Sequence, residues 1–343
     1  MNKSLLETYI CPVEKNTLQL QSPAGAGEDI LDGALSSGQY SYEIKDGIPH
    51  FIASGQLSKI ELDTKQQYEE YYTEEFYDNI MDWLFKSFYE DEEKVRETMV
   101  DALDLKPNAR VLEIGCGTGC DSFRIARRLD KSGKLFMQDL SGAMVSITKK
   151  RLERDSEKLG ISCKLDYFVS TARNLPFPDN YFDAVFHFGG FNNFEDPKGT
   201  LAEFSRIVKE GGTVVVGDES VPPWLEGTPF GEIVCNNNAL FRYKVPLHHL
   251  PECARDVAVR WLLGSCFYLI DFKVGNGPPP LDIDLPHKGT RGGTMRSRYY
   301  GQLEGVSAEA KLLAQEAAKK SGVSLHDWLD QLVMSAARTE LKK

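Results

Sequence analysis

The chain has no apolar run approaching the length of a membrane span, and its opening residues, Met1-Asn-Lys-Ser-Leu-Leu-Glu-Thr8, lack the apolar core of an export signal. A cytoplasmic protein with no membrane partner is therefore expected. Positive charge is scarce: 40 Lys and Arg stand against 51 Asp and Glu, a net charge of −11. General nucleic-acid or anionic-membrane surfaces need a positive field, so both are disfavoured, although a local basic patch is compatible with the total. Cysteine is sparse and unpatterned. Seven residues, at 11, 116, 120, 163, 235, 253 and 266, include no C-x-x-C, so neither a disulfide framework nor a metal site is indicated. With 343 residues and 41% hydrophobic content, the chain can bury one main domain with additions.

Residues 110–122, Arg-Val-Leu-Glu-Ile-Gly-Cys-Gly-Thr-Gly-Cys-Asp-Ser, run from an apolar strand into a loop with glycine at three alternate positions, and helical spacing begins at Ser122. Gly115, Gly117 and Gly119 can take positive φ and let a ligand lie against bare backbone. A dinucleotide fingerprint counted from Gly115 needs glycine at 120 and finds Cys120; counted from Gly117 it needs glycine at 122 and finds Ser122. The nicotinamide reading fails on that spacing. Glu113, two residues ahead of the glycines, would repel a diphosphate and attract the α-ammonium of S-adenosylmethionine.

Val111-Leu-Glu-Ile-Gly-Cys-Gly-Thr-Gly119 closely resembles motif I of class I S-adenosylmethionine-dependent methyltransferases. Lys134-Leu-Phe-Met-Gln-Asp139 is similar to the second strand of that fold, Asn174 to Phe186 to the approach to strand four, and Phe204 to Gly217 to the helix, turn and strand that follow. Within the superfamily the chain looks most like the ubiquinone/menaquinone C-methyltransferase-like (type 11) branch. The resemblance implies an α/β fold with a Rossmann-like seven-stranded sheet. It also implies that S-adenosylmethionine is bound and S-adenosylhomocysteine released. It places the methionine part at Glu113, Gly115, Cys116, Gly117 and Gly119, the ribose at Asp139 beside Leu140, and the adenine at Thr171 and Ala172. Thr171 stands where the family more often has an acidic residue; its hydroxyl can still accept a hydrogen bond. Phe76-Tyr77-Asp78 is the nearest match to the segment that closes over the cofactor, with Tyr77 able to meet the sulfonium by cation–π attraction.

Five regions are expected. Residues 1–55 resemble a degenerate zinc-ribbon domain: Cys11-Pro-Val-Glu14 keeps one cysteine of the first pair, and Ser36-Ser-Gly-Gln39 occupies the place of the second, so no metal is expected. Residues 56–105 form a helical lead-in rich in aromatics, Tyr68 and Tyr72 among them, that serves as a cofactor lid. Residues 106–274 are the methyltransferase core, with a substrate lid at 222–256. Residues 275–298 are a Pro- and Gly-rich linker carrying Lys288, Arg291, Arg296 and Arg298. Residues 299–343 are a helical tail capped at Ser307 and Ser324 and broken at Gly322. With the strand-like stretch Thr294 to Leu303 before it, the tail is faintly similar to ribbon-helix-helix modules.

Candidates near the transferred methyl are His187, Asn192, Asn193 and Asp218. Each has a structural reading as well: a buried histidine, asparagines that cap a turn, a carboxylate that holds a loop. The expected activity is methyl transfer to a small or medium-sized acceptor by in-line displacement, which asks the protein for position and a dry site. An RNA or protein methyltransferase, suggested by the ribbon-like N-terminus, and a non-catalytic cofactor-binding regulator, suggested by the tail, remain as alternatives. A homodimer through the N-terminal domain or the tail is compatible with both.

Overall fold

The computed structural model describes residues 1–71, 73–290, 292–300 and 306–342, so Tyr72, Arg291 and the end of the strand-like stretch lie outside it. The described chain divides into two compact units, 1–279 and 280–343.

The larger unit is built on a seven-stranded sheet. Its strands are β5 (Arg110–Ile114), β6 (Lys134–Asp139), β7 (Lys164–Val169), β8 (Phe182–Phe188), β9 (Val208–Glu219), β10 (Ala254–Leu262) and β11 (Phe267–Val274), in the spatial order β10-β11-β9-β8-β5-β6-β7. β5 to β9 are parallel, and β11 runs antiparallel between β9 and β10. The parallel strands read as continuous apolar runs because helices cover both faces: Val111, Leu112, Val185, Val214 and Val216 are fully buried. Helices α4 (Ser122–Arg127), α5 (Gly142–Leu159) and α6 (Pro197–Ile207) link the strands, and α7 (Pro229–Asn237) lies in the expected lid. Local chemistry sets their ends. Ser141 caps α5 by accepting from the Met144 N–H, and Gly160 closes it in the left-handed region at φ +67°. Pairing with β11 carries β9 through Asp218 and Glu219.

Three helices precede the core: α1 (Lys59–Tyr71), α2 (Glu74–Ser87) and α3 (Glu92–Asp101). Thr73 and Asp91 cap α2 and α3, each followed by two acidic residues that suit the positive end of a helix. Arginines fasten them to the core helices. Arg128 of the α4 C-cap reaches Glu97 and Asp101 on α3, and Arg151 of α5 reaches Asp78 on α2 at 3.2 Å.

Residues 19–49 form a separate antiparallel sheet of β1 (Gln19–Ala26), β2 (Asp29–Ser37), β3 (Tyr40–Lys45) and β4 (Ile48–Pro49). It shares its interior with the core. The Phe51 N–H donates to Val169 O at 2.7 Å, and Tyr9 and Phe51 join Phe168 and Phe177 in one aromatic cluster with centroids 4.9–6.2 Å apart. At the positions of the ribbon resemblance, Cys11 lies 3.3 Å from the Tyr42 hydroxyl and the Ser37 hydroxyl donates to Glu14 at 3.0 Å.

The smaller unit holds α8 (Met295–Tyr300), α9 (Ala308–Ser321) and α10 (Leu325–Glu340). Ser307, Gly322 and Ser324 bound α9 and α10 as expected. Residues 295–300, by contrast, are helical where a strand-like stretch was expected: Ser297 and Thr294 bond reciprocally at the start of the turn, a local closure that favours helix over extended chain. In the basic cluster, Arg296 is clasped by both Asp284 oxygens at 2.7 and 2.9 Å.

Candidate functional site

Because β5 to β8 are parallel and end at one edge of the sheet, the loops after them converge there. The glycine loop after β5 leads. Gly115, Gly117 and Gly119 take φ of +69°, +52° and +84°, a region that residues with a β-carbon seldom enter. Apart from its chain neighbours, a β-carbon on Gly117 would meet no atom of the described residues within 4 Å, so that face of the loop is open. The loop is held from behind: the Gly117 N–H donates to Asp139 Oδ2 at 3.0 Å, and Thr148 donates to the Gly117 carbonyl at 2.7 Å.

In front of the loop lies a cavity of about 390 Å³. Its walls include Gly115 and Gly117, Asp139 and Leu140 after β6, and Thr171 and Ala172 after β7, with Tyr77 of α2 on the covering side. His187 and Asn193 contribute on the β8 side, next to Phe188, Gly189, Gly190 and Phe194. The cavity thus gathers most of the residues that the sequence singles out. Glu113, Cys116, Gly119, Asn192 and Asp218 do not line it. Glu113 is 2% exposed, and its carboxylate accepts from the Ser122 hydroxyl behind the loop. Asn192 and Asp218 bond to each other, the Asn192 N–H donating to Asp218 Oδ2 at 2.6 Å.

Burial sets the charge states. It raises the Asp139 carboxyl to about 6, against the pull of backbone N–H groups of Ser141, Gly117 and Leu140. It raises Glu113 well above the carboxylate range, helped by neighbouring Asp121. Burial together with the adjacent Glu219 does the same to Asp218. His187 is lowered to about 4 by burial, so the ring is neutral at pH 7. Its Nδ1 donates to Ile114 O at 2.8 Å, while Nε2 has no partner among the described residues. The histidine is therefore buried, as its apolar surroundings suggest, but only half satisfied.

These features fit S-adenosylmethionine. Asp139 presents a carboxylate beside the open glycine backbone, as two vicinal hydroxyls require. Thr171 is 1% exposed and its hydroxyl has no hydrogen-bond partner among the described residues, an orphan that an exocyclic amine could satisfy. Several wall residues escape sequence reasoning: Gln138, Ser141, Arg96 and Asp121. Gln138 and Ser141 flank Asp139, and strand position alone could have found them. Arg96 lies in the lead-in helix α3, where no motif marks it.

Residues 68–226 match the model of the ubiE/COQ5 methyltransferase family. Curated relatives carry the name ubiquinone/menaquinone biosynthesis C-methyltransferase UbiE. The protein from Edwardsiella ictaluri is 28% identical over 156 residues, which is 42% of this chain and 61% of that protein. The one from Psychromonas ingrahamii is 28% identical over 184 residues, covering 49% of this chain and 72% of that one. The one from Neisseria meningitidis serogroup C is 33% identical over 117 residues, 34% and 45% of the two chains. The chain thus spans from under half to about seven-tenths of the relatives' own length. The family match over residues 68–226, the order of the strands and the residues gathered at their ends support a class I S-adenosylmethionine-dependent methyltransferase of the ubiquinone C-methyltransferase-like type.

Proposed function

We propose that the protein transfers the methyl group of S-adenosylmethionine to a small or medium-sized acceptor bound in the same cavity. The observation that carries this reading is the continuity of one cavity from the cofactor wall, Gly115 to Thr171, to a second wall of Phe188, Phe194, Leu240 and Phe267. Apolar and aromatic side chains of this kind suit a hydrophobic acceptor. The relatives' names make an aromatic carbon nucleophile the first acceptor to try.

When bound, the cofactor supplies a methyl already activated by the sulfonium charge. The protein's work is then placement and exclusion of water. Asp139 holds the ribose hydroxyls, and Thr171 with the Ala172 N–H meets the adenine edge. The Gly115 and Gly117 backbone and Tyr77, which line the same cavity, would hold the methionine part. Gly189 and Gly190, at φ +81° and +92°, line the cavity after β8, where the missing side chains would leave room for the acceptor. Asn193, on the cavity wall, would orient the acceptor, while the Asn192–Asp218 hydrogen bond fixes the loop that carries it.

Isotope-labelled methyl transfer into a lysate of the source organism, separated into metabolite, lipid, RNA and protein fractions, tests this. Label in the metabolite or lipid fraction, absent with Gly117→Arg, is expected. Label confined to RNA or protein would replace the small-acceptor reading with a macromolecular one.

A further inference from the structure

We propose that the acceptor is a small molecule with an apolar body and a protonated amine, the amine held by Glu219 on the side of the cavity formed by the ends of β8 and β9. The proposal rests on the methyl-transfer reading and adds to it the charge of the acceptor.

The cavity wall is divided by charge. Its basic side chains, Lys65, Arg96 and Arg173, stand on α1, on α3 and after β7, and each already has a carboxylate partner: Glu69 at 3.6 Å, Glu92 and Asp121 at 2.6 and 2.8 Å, and Glu61 at 2.8 Å. From His187 to Phe267 the wall contains no Lys or Arg. It contains Glu195, Asp196 and Glu219, none of which forms an ion pair among the described residues. Glu195 and Asp196 are exposed, and Asp196 also caps α6 through the Gly199 N–H at 2.9 Å. Glu219 is partly buried, and its Oε2 is enclosed with no hydrogen-bond partner among the described residues. Its backbone is fixed: the N–H donates to Asp218 Oδ1 at 2.9 Å, the carbonyl accepts from Asn192 Nδ2 at 2.8 Å, and Phe267 pairs opposite it on β11.

His187 points to a ligand independently. It is 2% exposed, its Nδ1 is spent on Ile114 O, and its Nε2 is a lone pair on the same wall without a donor. A ligand that brings only carbonyl oxygens or carboxylates would leave both Nε2 and Glu219 Oε2 unpaired, whereas one with N–H groups supplies what they lack. A carboxylate drawn away from water is costly unless a cation meets it, and no side chain does so here. Phe188, Phe194 and Phe267 on the same side suit both the apolar body and, through their faces, a cation. The cofactor's sulfonium brings one positive charge to the cavity, and the three carboxylates offset its repulsion of a second.

The test is isotope-labelled methyl transfer by the full chain into a protein-free extract of the source organism. One portion of the extract is acetylated with acetic anhydride and then treated with hydroxylamine, which strips acetyl groups from hydroxyls and leaves amines capped; a second portion receives hydroxylamine alone. Label is expected in the second portion and is lowered roughly tenfold or more in the first, as loss of a charged hydrogen bond entails. Glu219→Gln, which keeps the shape and removes the charge, is expected to lower transfer into the second portion by roughly tenfold or more, with S-adenosylhomocysteine affinity by calorimetry changed by less than about threefold. If Glu219→Gln does not fold, as judged by thermal unfolding, the capped extract carries the test. Equal label in both portions, unchanged transfer by Glu219→Gln, or equal loss of transfer and cofactor affinity overturns the proposal. No label in the second portion from the wild-type chain would overturn the small-acceptor reading itself.

Discussion

Asp139, proposed above to hold the ribose, has a chemistry that gives a pH dependence with a definite sign. Its folded pKa is raised to about 6 by burial. Its protonated form therefore stabilises the ligand-free fold at low pH, and that contribution fades as pH rises through 6. A ligand that donates two hydroxyl hydrogens favours the ionised form instead. Affinity for S-adenosylhomocysteine should be flat above pH 7 and weaken by up to about tenfold per pH unit below 6. Asp139→Asn should abolish that slope and cost about 2–3 kcal/mol of binding, roughly 30- to 150-fold, with the fold intact by circular dichroism. A pH slope that survives in Asp139→Asn would assign it to another group.

At the scale of elements, the covering helices respond to fewer contacts than the strands do. α1 is tied to the loop after β7 by Arg173, which donates to Glu61 at 2.8 Å and to Gln56 O at 2.9 Å. These groups are partly exposed, so Arg173→Ala is expected to cost about 1 kcal/mol or less. Its effect should be local: faster amide hydrogen exchange in α1, unchanged exchange in β5, and cofactor affinity lowered a few-fold. Equal acceleration in β5 would show that the clamp supports the whole sheet. The same division explains what could be read in advance. β5, β6, β8 and the caps of α9 and α10 were legible because burial on both faces, glycine turns and Ser caps leave local marks in the sequence. The Arg96–Asp121 pair, the placement of Glu113 behind the loop and the helix at 295–300 were not. They depend on side chains brought together over long separations, 25 residues for the pair, or on a reciprocal Thr–Ser closure that a strand-like composition hides.

At the scale of the molecule, the N-terminal sheet and the methyltransferase sheet share one interior. Phe51 is fully buried against Tyr9, Tyr42 and Phe168. Phe51→Ala should cost about 3–5 kcal/mol and lower the melting of residues 1–279 as a single cooperative transition. If the core kept its melting temperature while the N-terminal sheet unfolded alone, the shared interior would be energetically idle. The cofactor assignment unites these scales, and calorimetric titration of S-adenosylhomocysteine into the wild-type chain and Gly117→Arg tests it most directly. An arginine at 117 enters open space at the glycine loop and, apart from its chain neighbours, displaces no atom of the described residues within 4 Å at its β-carbon. The account predicts saturable binding at one site in the wild type and none in the folded variant; no binding to the wild type, or equal binding to both, would contradict it.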